Sequence, residues 1–146
     1  MPGGITVSGS KSLSSKYNAL GAIAQGRTLE RAIVSGALLI QNEAKRQVPK
    51  LTGNLARSIH IGGHDDLNPG GAGVIDTTGA GVPGPEITAN SAAVYVGTDV
   101  IYGPPVEFGR GGVAAQPYMR PAFDGQRAAA VRECGAAMVE LIRAVL

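Results

Sequence analysis

Apolar residues recur at helical spacing in three stretches of this chain. From Leu29 to Val48, the residues Leu29, Ile33, Ala37, Ile40, Ala44 and Val48 fall on one stripe, widened by Val34 and Leu38. Glu30, Arg31, Gln41, Asn42, Lys45 and Arg46 take the remaining surface. Pro49 ends this predicted helix, because it has no N–H to donate and restricts the residue before it. Upstream, Leu13, Tyr17, Leu20 and Ile23 (or Ala24) predict a shorter helix over 13–23, stopped at Gly26, with Thr28 placed to cap the helix that follows. Downstream, Phe123, Ala130, Cys134, Ala137 (or Met138), Leu141 and Val145 predict a closing helix over 121–145, with Pro121 in its first turn. Arg127, Arg132, Glu133, Glu140 and Arg143 largely avoid that stripe.

The strand signals are shorter. Ile5-Thr6-Val7 predicts a short N-terminal strand, 58–61 the first strand of a sheet, and Val94 to Thr98 a further strand at the end of the extended run 89–96. Thr52-Gly53 reads as a tight turn, followed by about one helical turn over 54–57. A short helix is expected within 99–109, interrupted by Pro104-Pro105. Between them, 62–85 reads GGHDDLNPGGAGVIDTTGAGVPGP, with little to bury and many breakers. Strand-like flanks make 62–88 an expected hairpin arm with a mobile tip. The predicted fold is therefore α+β, one domain over 1–146. A small antiparallel sheet packs on two main helices and carries a long Gly/Pro-rich arm, and 1–27 forms an N-terminal strand and short helix.

Composition sharpens this picture. A chain of 146 residues can bury one core, yet it has no Trp, two Phe and 22 Gly. Such a core is light and aliphatic, so the monomer is expected to gain stability from neighbours. Thirteen basic against eleven acidic residues leave a formal charge of +2, too balanced to grip nucleic acid electrostatically. A single cysteine, Cys134, excludes an intrachain disulfide and a multi-cysteine zinc site, and its apolar stripe assigns it to packing. The first residues, MPGGITVSGSKS, hold no apolar signal-peptide core, and no apolar run is long enough to span a membrane. Synthesis in a cytoplasm is the expectation.

Candidate chemistry is sparse. His60 and His64 with Asp65 and Asp66 offer metal-ligand types, but the spacing of the two histidines suits a helix and Gly62-Gly63 opposes one; solvated loop residues are the simpler reading. Gly71-Ala72-Gly73 precedes no helix to receive a phosphate, and Gly9-Ser10-Lys11-Ser12 lacks the glycine directly before lysine that a phosphate loop needs. Glu107, between Val106 and Phe108, is expected to be partly buried and to need a partner. Arg110, Arg120 and Arg57 are the candidates, and a structural ion pair is favoured over acid catalysis because no second catalytic group adjoins it. Arg31, Lys45, Arg46 and Lys50 give the long helix a basic face, read as solvated.

Three ordered segments carry a family resemblance. The first runs from Ala44-Lys45 to Pro49 and on through Thr52-Gly53-x-Leu55-x-x-Ser58-Ile59. The second joins Val96-Gly97-Thr98, Tyr102 and Val106-Glu107-Phe108-Gly109. The third is Gln116-Pro117-Tyr118-Met119-Arg120-Pro121-Ala122-Phe123. In this order they resemble the head–tail joining, or tail-completion, proteins of lambda-like long-tailed phages, over residues 29–146 with the arm as an insert. Gly103-Pro104-Pro105 and Arg110 depart from the family pattern, where an alanine-bearing helical segment and a threonine are usual. The resemblance implies a virion structural protein of the neck, synthesised in the host cytoplasm, without catalysis, cofactor or membrane. It implies a ring, a hexamer by expectation, between the tail-tube protein and a connector or head-closure protein, with DNA passing through the bore without sequence-specific contact. Pro49, Thr52 and Gly53 are then expected to set the helix-to-strand turn. Glu107, Phe108 and Arg120 should anchor the central segment to the sheet, with Tyr102, Gly109, Gln116, Pro117, Pro121 and Phe123 completing the motif. Residues 62–88 should contact a neighbour or the tail tube. The alternatives are an adjacent head-closure ring, a DNA-binding accessory protein, and a metal-dependent hydrolase using His60, His64 and Asp65.

Overall fold

The long amphipathic stripe becomes the central helix of a computed structural model that describes residues 10–23, 27–50, 53–64, 74–75, 77, 81–88 and 91–144. Five helices occur among these residues: α1 (Ser10–Ile23), α2 (Arg27–Gln47), α3 (Asn54–Ser58), α4 (Gly103–Phe108) and α5 (Met119–Arg143). The strands are β1 (His60–Ile61), β2 (Glu86–Ile87), β3 (Ala92–Ala93) and β4 (Val96–Gly97). β1 pairs antiparallel with β4, His60 opposite Gly97, and β2 with β3, Glu86 opposite Ala93. The architecture is a small α+β fold.

Helix α2 packs on two sides, which is why its apolar stripe is wide. Val34 and Ala37 meet Ile61 of β1, with Leu38, Val94 and Val96 closing that cluster. On the other side α5 crosses at Gly36, where an added Cβ would stand 2.5 Å from Cys134 Sγ and 2.6 Å from the Ala130 carbonyl oxygen. Only a glycine permits that approach. A mid-helix glycine costs about 1 kcal/mol relative to alanine, and close contact is its compensation. Gln41, read from sequence as surface, is buried instead, its side-chain amide donating to the Ile59 carbonyl at 3.1 Å. A larger cluster of Ala44, Val48, Leu55, Ile59, Val100, Tyr118 and Ala122 joins the end of α2 to α3 and the start of α5.

Several boundaries differ from the sequence reading for physical reasons. Thr28 lies inside α2, which starts at Arg27. Ser58 belongs to α3 rather than to the strand, its hydroxyl turned back to the Leu55 carbonyl at 2.7 Å. Pro104 and Pro105 do not interrupt α4; they stand in its first turn, where a missing N–H costs nothing. Helix α5 begins two residues before Pro121, at Met119. The expected strand at 5–7 and the glycine motifs at 9 and 71–73 lie wholly or partly outside the described residues.

The described part of 62–88 is held against the body. Thr77 bridges Val100 in antiparallel fashion, and Val74 packs on the larger cluster. Residues 82–83 cross directly over Gly62, where a Cβ would lie 1.8 Å from the Pro83 carbonyl oxygen. The Gly62-Gly63 pair at the head of the glycine-rich stretch 62–85 is thus a crossing point, with Gly63 in the left-handed region at φ 76°.

Candidate assembly site

The second and third motif segments meet at one carboxylate, and the first joins them through the core cluster around Tyr118. Glu107, on α4, is buried and accepts three backbone hydrogen bonds from the start of α5: Tyr118 N–H at 2.7 Å and Met119 N–H at 2.9 Å to Oε2, and Arg120 N–H at 3.0 Å to Oε1. A helix leaves its first N–H groups without internal partners, and its N-terminal dipole favours an anion. Tyr118, at the cap position, supplies no side-chain cap of its own. Glu107 therefore caps α5 from a separate element. Burial alone would raise its carboxyl, but the three backbone donors, with a smaller contribution from the Arg120 charge, outweigh it and lower the pKa below the ordinary 4.5. Burial, and then the Glu107 charge, push the neighbouring Tyr118 phenol up to about 12.

This corrects the expected ion pair: the partner of Glu107 is a helix N-terminus, not an arginine side chain. It also corrects the expected anchor to the sheet, since Glu107 ties α4 to α5. Phe108 stays exposed, its ring 5.6 Å from the Arg120 guanidinium in a cation–π arrangement. Gly109 ends α4 at φ 76°, donating its N–H to the Pro105 carbonyl at 2.9 Å. A Cβ there would meet the Val113 carbonyl oxygen at 2.9 Å. Gln116 N–H donates to the Val106 carbonyl at 2.8 Å, drawing the extended segment before α5 back along α4. Pro117 and Phe123 are exposed, and Pro121 occupies the first turn of α5.

The turn after α2 supplies the other half of the junction. Pro49 follows the helix, Thr52 lies outside the described residues, and Gly53 takes φ 73°, ψ −5° before α3. Asn54, buried, donates to the Ile75 carbonyl at 2.8 Å and to the Tyr102 hydroxyl at 2.7 Å, while its Oδ1 accepts the Ile75 N–H at 2.9 Å. One side-chain amide thus binds both backbone groups of Ile75, as a neighbouring strand would. Sequence reasoning missed this residue; the signal available was an amide directly after a left-handed glycine, a place where asparagine favours backbone partners. Ser58 and Thr98 hydroxyls hydrogen-bond each other, linking α3 to the strand that leads to α4.

The other candidates are dispersed. His64 Nε2 lies 2.8 Å from Glu30 Oε1, and His60 Nδ1 lies 2.7 Å from the Ser58 carbonyl oxygen. Asp65 and Asp66 lie outside the described residues. No group of three or more metal-ligating side chains occurs among the described residues. The basic face of α2 is partly engaged: Arg46 Nε donates to Glu43 at 2.9 Å, and burial lowers the Lys45 amine. No helix among the described residues is long and apolar enough to cross a membrane.

An apolar groove of about 640 Å³ opens beside the junction, between α2, α5 and β4. Phe108, Met119, Phe123, Ala130 and Val131 are among its lining residues. Comparison with protein-family models, with curated proteins and with solved structures returns no match.

Proposed function

We propose that this chain is a ring-forming structural subunit of a phage neck, a tail-terminator or tail-completion protein that joins the tail to the DNA-filled head. The observation that carries the reading is the convergence of the motif segments on Glu107 and the core cluster around Tyr118. Residues that resemble one family in order and spacing form a single physical unit here, one that fixes helix α5, the exposed groove beside it and the turn into β1. A motif that builds a rigid surface rather than a catalytic constellation suits a protein that works by surface complementarity. Exposed large apolar residues on α1, α4 and α5 further support a subunit that finishes its burial against neighbours. In this reading DNA passes through the bore, and the +2 charge favours sliding over gripping.

Native mass spectrometry and sedimentation of the purified chain test this. A closed ring, expected as a hexamer, supports the proposal; a monomer at every concentration, alone and with isolated tails, contradicts it.

A further inference from the structure

The first two turns of α1 are exposed on every face, from Lys11 to Asn18, and Ala19 and Leu20 are partly covered where the helix meets the body. A 14-residue helix rich in serine is marginal in water without packing. Its apolar row is nonetheless helical in spacing, Leu13, Tyr17 and Leu20, and the first two are 71% and 77% exposed. Lys11 falls on the opposite face of the helix, while Lys16, one turn from both Leu13 and Leu20, borders the apolar row. Among the described residues, nothing covers the Leu13 and Tyr17 end of this apolar row.

The groove beside α5 is its natural complement. The sequence contains two Phe, and both stand exposed on the walls of this groove, Phe108 at 66% and Phe123 at 52%. Val131, 71% exposed, extends the same wall, and Met119 adds an adaptable apolar side chain. A chain that places all its phenylalanine around one open trough has an anchor surface of the kind that receives a helix through spaced apolar residues. No described side chain of α1 lines the groove.

We infer that the apolar row of α1 from one copy seats in the α2–α5 groove of the next copy, Leu13 and Tyr17 against Phe123 and Val131. This rests on the ring reading above and names its contact. Helix and groove are different surfaces, so the contact is heterologous: each copy gives one helix and receives one, as successive subunits of the proposed ring would. A two-turn helix buries less than the roughly 800 Å² per partner of a standard interface, so an isolated dimer is weak. Closure makes the final contact intramolecular, which strengthens the assembly without any new surface.

The test places a photo-reactive benzophenone side chain at position 17 of the full-length protein and maps the covalent adducts by mass spectrometry. Expected are intermolecular adducts on Met119 or on α5 near Val131. In parallel, Leu13→Asp with Tyr17→Asp should lose every species above the monomer while keeping the wild-type circular dichroism; both side chains are exposed, so folding is spared. Assembled protein whose adducts fall elsewhere or do not form, or a double variant that assembles like wild type, overturns the seat and leaves the ring reading intact. A wild-type chain that is monomeric at every concentration and gives no adduct overturns both.

Discussion

Glu107 sits where burial opposes its charge and three backbone N–H groups favour it, and the donors win. Because its folded pKa is lowered, its contribution is fully present above the ordinary value of 4.5 and is lost as pH falls through the folded value. Glu107→Gln should cost roughly 1–3 kcal/mol at neutral pH, with little further loss on acidification; urea titrations of both proteins across the acid range measure this. Tyr118 gives the opposite limb. With its phenol held up to about 12 against an ordinary 10.0, the fold loses stability as pH rises from about 10 toward 12. In alkaline spectrophotometric titration Tyr118 should titrate last, with Tyr95 also held up by its hydrogen bond to Glu86, and the Tyr118 step should shift down in Glu107→Gln. Asn54→Ala should cost about 1–3 kcal/mol, since it strips partners from both backbone groups of Ile75. Thermal melts check the loss, and hydrogen exchange should show the Ile75 amide deprotected. The burial of Glu107 was legible in its apolar flanks, Val106 and Phe108, although Phe108 itself is exposed. The partner of Glu107 was not, because backbone donors eleven to thirteen residues away leave no mark in composition.

At the scale of elements, periodicity located the helices to within a few residues, although α5 buries only Ala122 and Ala130 and leaves Phe123, the first residue of its predicted stripe, exposed. It did not show that α2 is covered from two sides, because Gly36 and Gln41 are not apolar and still belong to that buried surface. Gly36→Ala tests the crossing. The gain in helix propensity is about 1 kcal/mol, but the new methyl faces the Ala130 backbone oxygen as well as Cys134 Sγ, so α5 must move and a net loss of about 1–3 kcal/mol is expected. Adding Cys134→Ala should relieve only part of it, because the backbone contact remains; melting temperatures of the single and double variants decide this. Strand positions were harder to read, as each pairs over only two residues and no alternation can develop. The prolines of α4 were misjudged because an N-terminal first turn and a helix break look alike until the preceding residues are seen to be non-helical.

For the whole molecule, a light aliphatic core goes with exposed Phe108, Phe123, Leu13 and Tyr17, and the proposed ring is what would cover that apolar surface. The α+β class was readable from the sequence, since long stripes and short extended runs alternate along it. The role rests on the ordered motifs and on the junction they build. The most direct measurement is electron microscopy of particles made by a phage whose copy of this gene is deleted. Filled heads beside separate tails, of normal length for a joining protein or abnormally long for a terminator, are the predicted result. Normal infectious particles would contradict the neck assignment.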